Sequence, residues 1–235
     1  QLSIEEIARL KAIFDSTELA YKDSKRKYGT ERPLPQTAQI AIWICLGTLC
    51  RTGELHRAEW KDVDFEKRTW FIPAQNTKGE RGKKRDQLVH LSDFTLGQFR
   101  QLHALTGHTR WAFPGKDPEK HVCEKSLSKL VGDRQLQFMN RQGKMKNRVE
   151  SNSLVLGDRE WTPHDLRRTG ATLMQGLKIS REIINLCQNH VVGSRVDRSY
   201  LLEKHDEDKR EAWNRLGDRL EAILGGSNIV SLKTA

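Results

Sequence analysis

Residues 36–50, QTAQIAIWICLGTLC, constrain the fold more than any other stretch of the chain. Apolar side chains follow one another there with almost no polar face. A helix that is apolar all round has to be buried on most of its sides, so other elements must surround it. It is a core helix and not a membrane span, because no run in the sequence approaches the roughly 18 apolar residues that a span needs. The chain has 235 residues. At roughly 150 residues per domain that gives one large domain or two small ones, and either is long enough to bury a core.

The flanking segments supply the partners. Ile4, Ile7, Leu10, Ile13 and Phe14 have helical spacing over residues 3–20, and Ser3 with Glu6 reads as a capping box. A polar stretch ending in Pro33 and Pro35 then reads as a linker. From 60 to 92 the pattern changes to WKDVDF, RTWFIPA and DQLVHLS, three short runs rich in Val, Ile, Phe and Trp. They predict three antiparallel strands. Between the second and third lies NTKGERGKKR, a long hairpin with two glycines and five basic residues. Helical spacing returns near 93–105, 125–139, 163–175, 180–188, 195–203 and 206–224, while 140–160 is polar and basic. The expected fold class is mainly α with a small three-stranded antiparallel sheet (α+β).

Charge narrows the partner. Lys and Arg number 41 against 31 Asp and Glu, a net charge of +10. That excess favours an anion, with nucleic acid the first expectation. Cys45, Cys50, Cys123 and Cys187 form no CxxC pair, so neither a zinc site nor a disulfide framework is expected. Reduced thiols suggest a cytoplasmic protein. The first residues, QLSIEEIARL, are already amphipathic and acidic, which is unlike a signal peptide. A start on Gln1 suggests a fragment of a longer protein.

Several chemistries lack their motifs. The sequence has no GxxxxGK[ST], no GxGxxG after a strand, no HExxH and no GxSxG. What remains is a set of cationic segments. Arg51-Thr52-Gly53-Glu54-Leu55 follows the apolar helix at a break. His164-Asp165-Leu166-Arg167-Arg168-Thr169 opens a helix after Pro163, and in that helix His164 and Arg167 share a face. His190 lies just past the segment 180–188, and Tyr200 follows ten residues later. Taken singly, Arg51 reads equally as a helix-terminal arginine, and the lysines as solvated hairpin charges.

RTGEL, a lysine in a basic hairpin, HDLRRT, a His, and a Tyr about ten residues on resemble, in that order, the tyrosine recombinase (phage integrase) family. The resemblance runs from about residue 35 to 205. It implies a catalytic domain over 31–225, an N-terminal helix and linker over 1–30, and a tail over 226–235. Residues 1–30 would be either the end of a missing DNA-clamping domain or part of the catalytic one. Residue by residue, it implies that Arg51 and Arg167 hold the scissile phosphate and that His164 and His190 complete the pocket. Lys78 would be the general acid, Tyr200 the nucleophile, and Glu54 a support for the pocket. Two departures are visible: Gln188-Asn189-His190 replaces the usual Leu-Gly-His, and Lys83 and Lys84 rival Lys78. The run Arg81, Lys83, Lys84 and Arg85 would grip the DNA backbone. The basic run Arg141, Lys144, Lys146 and Arg148 is open between DNA contact and a solvated loop.

The residue types suit the chemistry. Attack on a phosphodiester builds charge on its non-bridging oxygens, and guanidiniums donate paired hydrogen bonds to them while staying charged. A metal cofactor need not be invoked, and a covalent phosphotyrosine would keep the bond energy, so rejoining would need no ATP. The activity that the resemblance implies is site-specific recombination of double-stranded DNA at attachment sites, by a tetramer assembled on DNA. The amphipathic segment 206–224 packs on its own domain or docks on a neighbouring protomer. The rival readings are a type IB topoisomerase, which would relax one plasmid without joining two sites, and a helical DNA-binding regulator, which would form no covalent adduct. A metal-dependent phosphohydrolase lacks the carboxylate clusters it would need.

Overall fold

The computed structural model describes residues 1–78, 84–140, 150–190 and 205–226. Expectations for Arg81, Lys83, the run 141–148, the helix near 195–203, Tyr200 and the tail 227–235 lie outside the described residues. Eight α-helices are described. They are α1 Ile4–Asp23, α2 Gln36–Thr48, α3 Thr52–His56, α4 Asp93–Thr106, α5 Ser126–Gly132, α6 Pro163–Gly176, α7 Arg181–Cys187 and α8 Asp206–Leu224. Strands β1 Val63–Asp64, β2 Thr69–Ile72 and β3 Gln87–His90 form one antiparallel sheet in that order. The fold is thus mostly helical with a small three-stranded sheet.

The apolar run becomes α2, with every residue from Ile40 to Thr48 buried. α4, α6 and α8 pack around it. Two glycines set how close they come. A Cβ on Gly47 would lie 2.5 Å from Thr95 Cγ2 of α4, and one on Gly170 of α6 would lie 2.6 Å from the Leu46 carbonyl oxygen. Side chains there would push α4 and α6 off the central helix. Trp213 of α8, itself buried, donates its indole N–H to the Thr48 carbonyl at 3.2 Å. That bond satisfies one of the carbonyls orphaned at the end of α2.

α1 starts from the capping box that Ser3 and Glu6 predict. Its buried Ile7, Leu10 and Phe14 face the core, with Phe14 edge-on to Trp43 at 5.7 Å, and the Leu2 amide donates to Thr169 Oγ1 at 2.7 Å. In the sheet, Trp70 pairs with both Val63 and Val89. Trp70, Ile72 and Val89 point inward, whereas the paired Phe71 and Leu88 face outward. Strand alternation accounts for this two-sided pattern.

Two boundaries differ from the sequence expectation. α1 runs three residues into the segment read as a linker, ending at Asp23. The helix expected over 125–139 stops at Gly132, followed only by a short 3₁₀ turn, Leu136–Phe138. The backbone there pairs across the chain instead: Leu136 N–H donates to Ser151, and Ser151 and Leu154 N–H donate to Asp133 and Arg134. Fully buried Gln135 exchanges hydrogen bonds with the Trp161 backbone at 2.8 and 3.1 Å. Those long-range partners outweigh the weak helix preference of Gly132 and Asp133.

Candidate active site

The sharp end of α2 places the first cation. Leu49 caps α2 in the left-handed conformation, φ 60°, which is costly for a branched residue and turns the chain sharply into α3. Arg51 is the N-cap of α3. Glu54 accepts the Arg51 backbone N–H at 2.7 Å and its Nη1–H at 2.7 Å. Glu54 is almost wholly buried. A buried carboxylate is tolerable only when paired, so Arg51 and Glu54 fix each other.

α6 supplies the second cation. Asp165 accepts from the Thr162 backbone N–H at 3.0 Å and its hydroxyl at 2.9 Å, which sets the helix start. Arg167 then points into the core and is only 3% exposed. Its Nη1 donates to the Leu49 carbonyl and its Nη2 to the Gln188 carbonyl. Nη2 also lies 3.1 Å from His190 Nε2. A guanidinium has five N–H donors and no acceptor, so His190 Nε2 is the acceptor. Among the described residues three of these donors are committed to protein atoms.

That assignment fixes the tautomer of His190. With Nε2 accepting, Nδ1 carries the proton, and it lies 3.4 Å from Asn185 Oδ1. Burial, reinforced by the Arg167 and Arg51 charges, holds the His190 pKa below its ordinary value, in keeping with a neutral ring. The turn before it is intact despite the missing glycine, because Asn189 takes φ 51°, a conformation asparagine tolerates. His164, at the second position of α6, also has a lowered pKa, through burial and then the Arg168 and Arg167 charges. Burial and the neighbouring Arg51 bring Arg167 down to about 10, which leaves it charged at neutral pH.

These side chains border one open cleft of about 570 Å³. Arg51, Glu54, Lys78, Lys84, His164 and Arg167 all line it, and His190 joins through Arg167. Lys78 is exposed, just past a 3₁₀ turn over Ala74–Asn76. Lys84, on the returning arm of the hairpin, donates to the Gln75 carbonyl at 3.3 Å. Arg85 does not line the cleft. Sequence reading missed Arg57 and Glu124, which form an ion pair at the cleft. Arg57 had a faint signal in its nearness to the RTGEL run; Glu124, 67 residues further along, had none. Chemically the cleft is an anion seat: two guanidiniums held by protein contacts, His164 in the lining, His190 behind Arg167, and exposed lysines.

Comparison with known proteins bears on the family and the fold. The model of the Phage integrase family matches residues 20–206. Prophage integrase IntA of Escherichia coli (strain K12) is 24% identical over 196 residues, 83% of this chain and 41% of that protein. The integrase of Enterobacteria phage P4 is 32% identical over 102 residues, 40% of this chain and 23% of that protein. The chain therefore spans less than half the length of these relatives. Among solved structures, XerA recombinase superposes with a TM-score of 0.55 at 17% identity, over 87% of this chain and 64% of that one. The integrase from mycobacterium phage Brujita gives 0.55 at 13%, over 92% and 75%. At such identities the likeness is one of fold. The family model, by contrast, matches residues 20–206, most of the chain, and on it the chain belongs to the phage integrase family.

Proposed function

We propose that this chain is the strand-cleaving and rejoining domain of a site-specific DNA recombinase, working through a 3′-phosphotyrosine at Tyr200 without metal or ATP. The observation that carries the reading is the meeting of Arg51 and Arg167 in one cleft, 116 positions apart in sequence. In this reading the two arginines grip the non-bridging oxygens of the scissile phosphate. Preset donors of this kind are each worth ~2.7–4 kcal/mol in a transition state.

A tyrosine hydroxyl has an ordinary pKa near ~10, so it must lose a proton as it attacks phosphorus. His164, its pKa lowered by burial and then by the Arg168 and Arg167 charges, is the base within the cleft best suited to take it. The P–O5′ bond breaks as the Tyr–O–P bond forms. Lys78 gives its proton to the departing 5′ oxygen, with Lys84 as the rival donor. Rejoining is the reverse: the 5′ hydroxyl attacks the phosphotyrosine and restores the tyrosine.

The partner in this reading is double-stranded DNA at attachment sites, and the site of action is the bacterial cytoplasm. Among the described residues no helix is long and apolar enough to cross a membrane. The assembly proposed is a tetramer on DNA. Trp213, Leu216, Leu220 and Ile223 of α8 are buried in their own chain, so any contribution of α8 to that assembly comes from its charged face.

A nicked suicide substrate tests the mechanism, because loss of the small cleaved fragment traps the covalent adduct for a denaturing gel. Tyr200→Phe should abolish the adduct and leave DNA binding nearly unchanged. An adduct of normal yield in that variant would sink the assignment.

A further inference from the structure

We propose that Cys45 and Cys50 form an oxidant-sensitive dithiol, a modification site at which peroxide closes a disulfide against the base of the anion cleft. The two sulfurs lie 3.9 Å apart, both in buried residues. A disulfide needs about 2.05 Å, so closure asks for a movement of about 1.9 Å between them. Cys45 sits in the last turn of α2 and is fully buried in the centre of the helical core. Cys50 sits in the short connection from α2 to α3, held there by an amide hydrogen bond to Thr48 Oγ1 at 3.3 Å. The packed helix resists displacement, so the movement falls on Cys50.

Cys50 also borders the cleft, which gives a small oxidant a way in from that side. The Cys50 thiolate attacks one oxygen of hydrogen peroxide, the O–O bond breaks, and the released hydroxide leaves as water with a proton. Cys50 is then a sulfenic acid. The Cys45 thiol displaces its hydroxyl, forming the S–S bond and a second water. Two thiols are oxidised and one peroxide is reduced.

The position of Cys50 couples the bond to the cleft. Its neighbour before is Leu49, whose carbonyl anchors Arg167. Its neighbour after is Arg51, held by Glu54. Pulling Cys50 toward α2 shifts both anchors together, and a 1 Å misplacement can cost on the order of 10²-fold in rate. This consequence rests on the function proposed above; the bond itself does not.

Trypsin leaves both cysteines on one peptide, residues 28–51, since Pro33 protects the bond after Arg32. After graded hydrogen peroxide, that peptide should be lighter by two hydrogens and resist alkylation until reduced. Suicide-substrate cleavage should fall on the order of 10²-fold in step and return with dithiothreitol. Cys45→Ala, or Cys45→Val should the first fold poorly, should cleave normally when reduced. Under peroxide it should gain oxygen at Cys50, pass to the sulfinic acid and become unrecoverable. The proposal is overturned if Cys50 stays reduced while exposed Cys123 oxidises, or if wild-type Cys50 becomes sulfinic beside an intact Cys45. If the disulfide forms and cleavage is unchanged, the dithiol is supported and its coupling to the cleft is overturned. Bond formation in a protein that cleaves nothing when reduced would support the dithiol and remove the recombinase reading.

Discussion

Arg167 and Lys78 line the same cleft and are built into it in opposite ways. Arg167 is 3% exposed and donates to the carbonyls of Leu49 and Gln188. Its position is set by α2, α6 and α7 together. Lys78 is an exposed side chain just past the Ala74–Asn76 turn. The contrast matches what each is proposed to do. A donor that stabilises developing charge is worth most when it needs no reorganisation at the moment of reaction. A proton donor must only be within reach of the leaving oxygen once DNA is bound. One wall of the cleft belongs to the core, and the other to a surface arm.

Breaking the fixed wall should have the largest effect. Arg167→Ala should lower cleavage by ~10²–10³-fold. It should also lower the melting temperature, since two buried carbonyls lose a donor at ~1–3 kcal/mol each. Arg167→Lys keeps the charge and loses the planar fork, so it should cleave almost as poorly. Should Arg167→Lys retain both cleavage and stability, the anchored-fork account fails.

Breaking the surface arm should cost rate alone. Lys78→Ala should slow cleavage by about 10²-fold with an unchanged melting curve. Replacing the bridging 5′ oxygen with sulfur lowers the leaving-group pKa, and cleavage should return to nearly the wild-type rate. Arg51→Ala and Arg167→Ala should not be rescued. Rescue of Lys84→Ala instead would move the proton to that lysine.

The fixed wall also has a pH limit. His56 of α3 is buried against Phe113, and its Nδ1 has no hydrogen-bond partner among the described residues. Burial lowers its pKa from about 6.5 to about 4. Between those values the unfolded chain binds more protons than the folded one, so stability falls as pH falls. The loss from pH 7 to pH 5 should be about 2 kcal/mol, read from denaturant midpoints. His56→Gln should flatten that slope, and an equally steep slope in the variant would assign it to other groups.

The smallest effect is at the cleft rim. Glu124 neutralises Arg57 there, both partly exposed. Glu124→Gln should tighten DNA binding by roughly two- to fivefold, the worth of an exposed pair. In an Arg57→Ala background the gain should shrink. An equal gain in both backgrounds would mean a diffuse charge effect and no competition for Arg57.

Local patterns were legible wherever a periodicity or a cap carried them. The apolar α2, the Ser3–Glu6 box, three strands and the starts of α4, α6, α7 and α8 all follow from residues a few positions apart. Helix α5 was read too long because what stops it, the pairing with residues 151–154 and the Gln135–Trp161 exchange, is contact between distant segments. Arg51 and His164 were found from short motifs. Glu124 was not, since nothing in HVCEK hints that it meets Arg57.

The sequence by itself determined which residue types were on hand: two arginines, two histidines, a basic hairpin and an all-apolar helix to organise them. It could do so because side-chain chemistry and helical period are local properties. Only the tertiary structure decided that Arg51 and Arg167 face one volume, that Arg167 is anchored on two backbone carbonyls, and that His190 accepts through Nε2. Those outcomes depend on backbone carbonyls at Leu49 and Gln188 and on Gly170 letting α6 lie against α2. Carbonyl direction and interhelix distance are set by packing among segments more than a hundred residues apart, and no local pattern encodes them.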